Sequence, residues 1–107
     1  MSIDDALVDQ IVRRILKVAA PNRIILFGSA ATGRMTRDSD IDLLILEDET
    51  PDNTRGERVR IRESLRGMGH SFDIIVMATE RFEETKRIIG GIGHPANKYG
   101  KVIYEVA

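Results

Sequence analysis

An apolar run that begins with alternating acidic residues occupies residues 40–47 and reads DIDLLILE. This alternation is typical of a β-strand, in which successive side chains point to opposite faces of the sheet. Asp40 and Asp42 would then share one face with Leu44 and Leu46. The opposite face is apolar and carries Ile41, Leu43 and Ile45. Such a strand has to be buried on both faces, so the carboxylates at its start require a compensating partner.

The same pattern returns in a second predicted strand, residues 71–77, which reads SFDIIVM. Asp73 there shares a face with Ile75 and Met77. Further strands are predicted at 23–27 and 101–106, and helical patterns separate the strands: one that begins near Ser2 and ends before Pro21, a short one after Gly28, one from Thr54 to about Gly67, and one from Thr79 to about Ile89. This order predicts an α/β (α+β) domain with three or four strands flanked by helices, and 107 residues are enough for a single domain, 1–107.

The three aspartates are predicted to converge in space. A strand–helix–strand connection makes the strands at 40–47 and 71–77 parallel, so that their starts lie about 5 Å apart. Asp40, Asp42 and Asp73 would then repel one another unless a cation lies between them. Carboxylates of this kind bind Mg²⁺, and two such ions can promote phosphoryl-type transfer.

An isolated Asp-x-Asp pair is more often a pair of turn residues that face water. The third aspartate, at the matching position of a separate strand, favours the metal site instead. Asp38 is assigned to the preceding loop and is left out of the ligand set.

Composition excludes several other kinds of function. The chain has no cysteine, which excludes thiol catalysis, disulfides and cysteine-ligated metal sites. Its net charge of −1, from 16 basic and 17 acidic residues, argues against direct binding to duplex nucleic acid. We find no signal-peptide pattern and no apolar run near the ~20 residues of a membrane span, so a cytoplasmic protein without a membrane partner is expected.

Gly28 and Ser29 follow the first predicted strand directly. A glycine here would let a phosphate approach the backbone, and the serine hydroxyl would donate to it. Taken alone, the pair is better explained as an ordinary helix cap, with Gly33 as the helix stop. A P-loop is rejected because Arg34 and Met35 stand where its lysine and hydroxyl residue are required.

Gly28-Ser29, a ten-residue gap, Asp40-Ile41-Asp42 and a downstream Asp73 together resemble the nucleotidyltransferase superfamily of the DNA polymerase beta type. In size and order the chain is most similar to the minimal nucleotidyltransferases, the MNT-type antitoxins encoded beside HEPN toxins. This resemblance implies a small mixed β-sheet flanked by helices.

The resemblance also implies a chemistry. Asp40 and Asp42 would bind two Mg²⁺ ions, and Asp73 would complete the metal site and help to deprotonate the attacking hydroxyl. Gly28 and Ser29 would hold the triphosphate of ATP. AMP would be transferred to a tyrosine of a partner HEPN toxin, which makes the protein an antitoxin that works as an adenylyltransferase. Because little chain is left for an acceptor lobe, the acceptor surface is expected to come from that partner.

Two alternatives stay open from the sequence. The domain would act without catalysis if it blocked its partner by contact, and it would act on a small molecule if a second copy supplied the acceptor lobe in a homo-oligomer. Arg34 or Arg37 is a candidate contact for the triphosphate. The arginines spaced four apart in the third helix favour a solvated face, and the alternative is a basic patch that meets an acidic partner: Arg58, Arg62 and Arg66.

Overall fold

A four-stranded mixed sheet forms the centre of the molecule in the computed structural model, which describes residues 4–33, 39–48, 54–85 and 100–106. The strands lie in the order β3-β2-β1-β4. The elements in chain order are α1 (Asp5–Leu16), β1 (Arg23–Phe27), α2 (Ser29–Thr32), β2 (Ile41–Glu47), α3 (Thr54–Ser64), β3 (Phe72–Ala78), α4 (Thr79–Thr85) and β4 (Lys101–Glu105). The predicted fold class, a small mixed sheet with flanking helices, is confirmed.

Strand pairing follows the predicted connections. β2 and β3 are parallel, as the intervening helix α3 requires, and their register pairs Ile41 with Phe72. β1 is antiparallel to both β2 and β4. The end of β1 therefore lies beside the start of β2, which in turn lies beside the start of β3. This edge of the sheet carries the predicted site residues.

The two faces of the sheet are covered by different helices. On one face α1 and α3 pack over the larger core cluster, which includes Ile11, Ile15, Ile24, Leu26, Ile41, Leu43, Ile45, Ile61, Leu65 and Ile74. On the other face α4 places Phe82, 2% exposed, over Ile25, Leu44, Leu46 and Met77. Full burial of such a side chain contributes about 1.5–3 kcal/mol to folding. Asp42 and Asp73 lie on this second face, because alternate residues of β2 and β3 share it.

Helix boundaries depart slightly from the sequence expectation. α1 begins at Asp5, with Asp4 as the N-cap whose Oδ1 accepts from the Leu7 backbone N–H at 2.7 Å. Ser2, at which the sequence pattern had the helix begin, lies outside the described residues. So do residues 86–89, to which the predicted fourth helix extends, and most of the segment that precedes β4.

Arg23 links β1 to two neighbouring elements at the end of the sheet away from the aspartates. Its guanidinium lies 3.1 Å from the carboxylate of Glu105 in β4 and 3.8 Å from that of Glu83 in α4. It also stands 5.9 Å from the ring centroid of Phe82. These contacts help to hold α4 over the sheet face that carries Asp42 and Asp73.

None of the helices within the described ranges combines the length and the apolar character that crossing a membrane requires.

Candidate active site

Asp42 and Asp73 face each other across neighbouring strands. They are register partners in the parallel pair of β2 and β3, so their side chains leave the same face of the sheet. Asp42 is also the register partner of Phe27, the last residue of β1. Asp40 stands just before β2 and is exposed. The sheet edge thus brings the three predicted aspartates to one region.

The electrostatic environment of Asp42 reflects this arrangement. Burial raises the pKa of the Asp42 carboxyl above its ordinary value of 3.8, and the charges of Asp73 and then Asp40 raise it further. Each cause disfavours the charged form of a carboxyl group. A cation among these carboxylates would reverse the effect and restore the ionised form.

The carboxylates of Asp40, Asp42 and Asp73 suit a divalent cation that takes its remaining ligands from a bound substrate and from water. Within the described ranges, no three histidine, cysteine, aspartate or glutamate side chains are grouped closely enough to hold a metal ion by themselves. Mg²⁺ usually takes one or two carboxylates and completes its shell with substrate phosphates and water. The facing pair of Asp42 and Asp73, with Asp40 at the strand start, supplies donors of that type.

Gly28 brings the turn after β1 directly against Asp42. Its φ of 69° and ψ of −152° belong to a region that L side chains rarely adopt. A Cβ atom at this position would collide with Oδ2 of Asp42 and would lie 3.1 Å from its Cγ. Glycine is therefore required here for two reasons, and the backbone of the Gly28-Ser29 turn lies beside the carboxylate.

Helix α2 holds this turn in place. It spans four residues, Ser29–Thr32, and ends at Gly33, whose φ of 76° is left-handed. Ala30 is 4% exposed and belongs to the larger core cluster. The turn is thus anchored to the core through Ala30 and lies directly beside Asp42.

A cleft opens between the end of α3 and the start of β3, and Asp42 does not line it. Its volume is about 710 Å³, and its lining includes Asp40, Arg62, Arg66, His70, Phe72 and Asp73. The sequence patterns did not predict this cleft, because it depends on how closely α3 packs beside β3. The four-residue spacing of the arginines was the available signal, and it favoured a solvated face.

Gly28, Ser29, Asp40, Asp42 and Asp73, the residues predicted for the site, therefore lie along one edge of the sheet. Their roles as ligands and catalytic groups stay predictions. Arg34 and Arg37, the candidate triphosphate contacts, and the loop residue Asp38 lie outside the described residues.

Comparisons with known proteins agree with this architecture. The family model for the nucleotidyltransferase domain matches residues 8–91. A crystal structure of a toxin–antitoxin with AMP-PNP superposes with a TM-score of 0.65 at 20% sequence identity, covering 92% of this chain and 73% of that one. No curated protein matches the chain in sequence.

Two further crystal structures have the same fold. One is a mutant of the toxin–antitoxin MntA-HpeT in which two aspartates two positions apart are changed to glutamate, with a TM-score of 0.64, 18% identity, and 92% and 73% coverage of the two chains. The other is described as a nucleotidyltransferase from Sulfolobus solfataricus, with a TM-score of 0.61, 19% identity, and 92% and 78% coverage. At these identities the likeness supports the fold, and the family model, which covers well over half of the chain, shows that this protein belongs to the nucleotidyltransferase domain family.

Proposed function

We propose that this nucleotidyltransferase domain transfers AMP from ATP to a hydroxyl group, a tyrosine of a partner HEPN-type toxin, and thereby acts as the antitoxin. The observation that carries the proposal is that Asp42 and Asp73 occupy matching register positions on the neighbouring strands β2 and β3, beside the turn at Gly28. The toxin–antitoxin structures that share the fold, one of them with AMP-PNP, support the choice of nucleotide and partner. The cytoplasm, where ATP and Mg²⁺ are available, is the expected compartment.

Three carboxylates would share the metal-dependent work. Asp40, Asp42 and Asp73 would hold two Mg²⁺ ions together with the triphosphate. When bound, these ions supply charge neutralisation at the phosphates and polarisation of the reacting oxygens. The spacing of Asp40 and Asp42 is also that of the two aspartates replaced in the MntA-HpeT mutant, which supports the importance of such a pair.

The chain's own groups would then place the substrates. The backbone at Gly28 leaves room for the triphosphate, and the Ser29 hydroxyl would donate to one of its oxygens. The acceptor oxygen attacks the α-phosphorus of ATP, the bond from that phosphorus to the bridging oxygen breaks, and pyrophosphate leaves. Asp73 would accept the proton that the acceptor hydroxyl loses.

Label transfer tests this proposal. The chain is incubated with Mg²⁺ and a HEPN-type toxin as the proposed partner, using ATP labelled at either the α- or the γ-phosphate. We expect the partner to gain α-label and no γ-label. Asp42→Asn should lower transfer by roughly a hundredfold or more, since a metal ion contributes several kcal/mol to such reactions.

Asp9→Asn is the matched control. Asp9 is exposed on α1 and undergoes the same chemical change, so its variant should transfer label at the wild-type rate. Undiminished transfer by Asp42→Asn would contradict the proposed site. An Asp42→Asn protein that labels nothing yet still relieves toxicity would indicate neutralisation by binding alone.

A further inference from the structure

The end of helix α3 lies close to the candidate site, because its last residues line one cleft with Asp40 and Asp73. The last carbonyls of a helix have no partner in the next turn and need donors from elsewhere. Ser64 Oγ donates to the Ile61 carbonyl at 2.6 Å. The backbone N–H groups that follow the helix donate to two more of its carbonyls, at 3.1 and 3.2 Å. The end of α3 is therefore closed by local hydrogen bonds as far as its own chain can supply them.

Arg14 of α1 reaches across to the same helix end. Its Nη1 donates to the Arg66 carbonyl at 2.9 Å and, over a longer distance of 3.4 Å, to the Ser64 carbonyl. No carboxylate in the described ranges lies within ion-pair distance of the Arg14 guanidinium. The helix dipole also favours a cation at the carboxyl end of α3. Arg14 therefore ties the backbone at the end of α3 to α1.

The backbone that Arg14 holds leads to the start of β3. It contains two glycines in the left-handed region, Gly67 with a φ of 87° and Gly69 with a φ of 79°. Between them Met68 packs against the larger core cluster. Because glycine has the widest backbone freedom, the course of such a segment depends on anchors outside the glycines. Arg14 supplies the anchor before Gly67, and Met68 supplies one between the two glycines.

The same segment ends on the hydrogen bond that opens the ladder between β2 and β3. The Ile41 N–H donates to the Ser71 carbonyl at 2.9 Å. Ile41 follows Asp40 and precedes Asp42, and it begins β2. Ser71 stands two residues before Asp73. This bond therefore sets how close the start of β2 comes to the start of β3, and with it the spacing of the three carboxylates.

We propose that Arg14 is a positioning residue for the candidate active site. By holding the backbone after α3, it keeps the hydrogen bond between Ile41 and Ser71 closed and the three aspartates at the spacing that a metal-bound triphosphate requires. The inference rests on the proposed function and adds a residue to its site. Arg14 acts through other residues, because its own hydrogen bonds go to the backbone at the end of α3.

Amide hydrogen exchange tests the proposal without a substrate. The full chain is labelled with ¹⁵N, and exchange is followed by NMR under native conditions. Arg14→Met keeps an unbranched side chain and loses the donors, so we expect the Ile41 amide to exchange about tenfold faster, as for the loss of one charge-assisted hydrogen bond. Ile45 lies further along β2, opposite Val76. Its amide should exchange no faster than the change in global stability explains.

Mn²⁺ binding in the presence of a non-hydrolysable ATP analogue tests the effect on the site. Arg14→Met should weaken Mn²⁺ binding roughly fivefold, because carboxylates that are held less firmly bind a metal ion less well. Arg14→Lys keeps the charge and one donor, so it should weaken binding only about twofold. Urea unfolding establishes that each variant is folded in the assay. If Arg14→Met does not fold, the comparison of Arg14→Lys with the controls decides.

Two matched controls separate positioning from loss of stability and from loss of charge. Asp4→Ala removes the N-cap of the same helix and destabilises the fold, yet it should bind Mn²⁺ as the wild type does. Lys17 is exposed and lines the same groove between α1 and α3 as Arg14 and Ser64. Lys17→Met should leave both Ile41 exchange and Mn²⁺ binding unchanged. Wild-type exchange or Mn²⁺ affinity in the Arg14 variants, or an equal loss in either control, would overturn the proposal.

The labelling assay separates this inference from the proposed function. If the wild-type chain transfers no label, while Arg14→Met shows the faster Ile41 exchange and the weaker Mn²⁺ binding, the transferase proposal fails and the positioning role stands. If the wild-type chain labels its partner, while Arg14→Met matches it in Ile41 exchange and Mn²⁺ affinity, the transferase proposal stands and the positioning role fails.

Discussion

At the scale of single residues, Gly28 allows the turn after β1 to lie directly against the Asp42 carboxylate. Its backbone conformation disfavours a side chain, and a Cβ would strike the Asp42 carboxylate. We predict that Gly28→Ala lowers the free energy of unfolding by about 1–3 kcal/mol, the usual cost of a strained backbone conformation, and displaces Asp42. Denaturant unfolding and α-label transfer measure the two effects.

Gly33→Ala separates backbone strain from displacement of Asp42. Gly33 also has a positive φ, 76°, but a Cβ there would meet nothing within 4 Å. Its substitution should cost about 1 kcal/mol of stability, from backbone strain alone, and should leave label transfer intact. Equal loss of transfer in both variants would show that the proximity of Gly28 to Asp42 is unimportant.

Glu47 is a second residue whose burial has a measurable consequence. Glu47 is 7% exposed at the end of β2, and its Oε1 has no hydrogen-bond partner within the described structure. The nearby cation, Arg60, already forms an ion pair with the carboxylate of Glu57. Burial raises the pKa of Glu47 above its ordinary 4.5, and Arg60 offsets part of that rise. A raised carboxyl pKa means that the folded state holds the proton more tightly than the unfolded state.

The raised pKa of Glu47 determines how the stability of the protein depends on pH. The contribution of Glu47 to stability is fully present below pH 4.5, its unfolded pKa, and is lost as the pH rises through the folded value. We predict that Glu47→Gln stabilises the protein at pH 7 by about 1 kcal/mol, the order of the cost of an imperfectly paired buried polar group. The difference should shrink toward pH 4 in urea unfolding. A wild-type protein that gains stability relative to the variant as the pH rises would contradict this account.

At the scale of elements, the start of α1 depends on one cap. Asp4 accepts from the Leu7 backbone N–H at 2.7 Å, and the acidic Asp5 occupies the first turn. Asp4→Ala should destabilise the protein by about 1 kcal/mol, the typical value of an N-cap. Thermal unfolding at neutral pH measures it.

Asp9→Ala controls for the loss of an acidic residue from the same helix. Asp9 pairs with Arg13 at 3.0 Å, and both side chains are largely exposed. An exposed pair of this spacing contributes about 0.3–0.5 kcal/mol, so the variant should lose less than Asp4→Ala does. A larger loss of stability in Asp9→Ala than in Asp4→Ala would show that Asp4 is not the N-cap of α1.

Elements with strong local patterns were predictable from the sequence. β2 and β3 alternate acidic and apolar residues at their starts, and α3 between them forces parallel pairing, so the facing of Asp42 and Asp73 followed from local rules. The first turn of α1 was less certain, because Ser2 and Asp4 are both good caps and the choice depends on packing. The cleft was not predictable, because Arg62 and His70 come to line one cleft only through the packing of α3 beside β3.

At the scale of the whole molecule, the mixed sheet explains why the site forms at one edge. β1 runs against β2, and β2 runs with β3, so one strand end and two strand starts meet there. The opposite face is filled by α1 and α3, which leaves the face of Asp42 to α4 and, in our proposal, to substrates. The strand order, with β1 and β2 in the centre, was not fixed by the sequence patterns, because several orders satisfy the same connections.

Metal binding by the facing carboxylates is the central claim, and Mn²⁺ binding followed by electron paramagnetic resonance tests it most directly. In the presence of a non-hydrolysable ATP analogue, the wild-type chain should bind Mn²⁺, and Asp42→Asn and Asp73→Asn should each weaken that binding about tenfold or more, because each removes a carboxylate ligand. Asp9→Asn should bind as the wild type does. Unchanged Mn²⁺ affinity in both Asp42→Asn and Asp73→Asn would contradict the account.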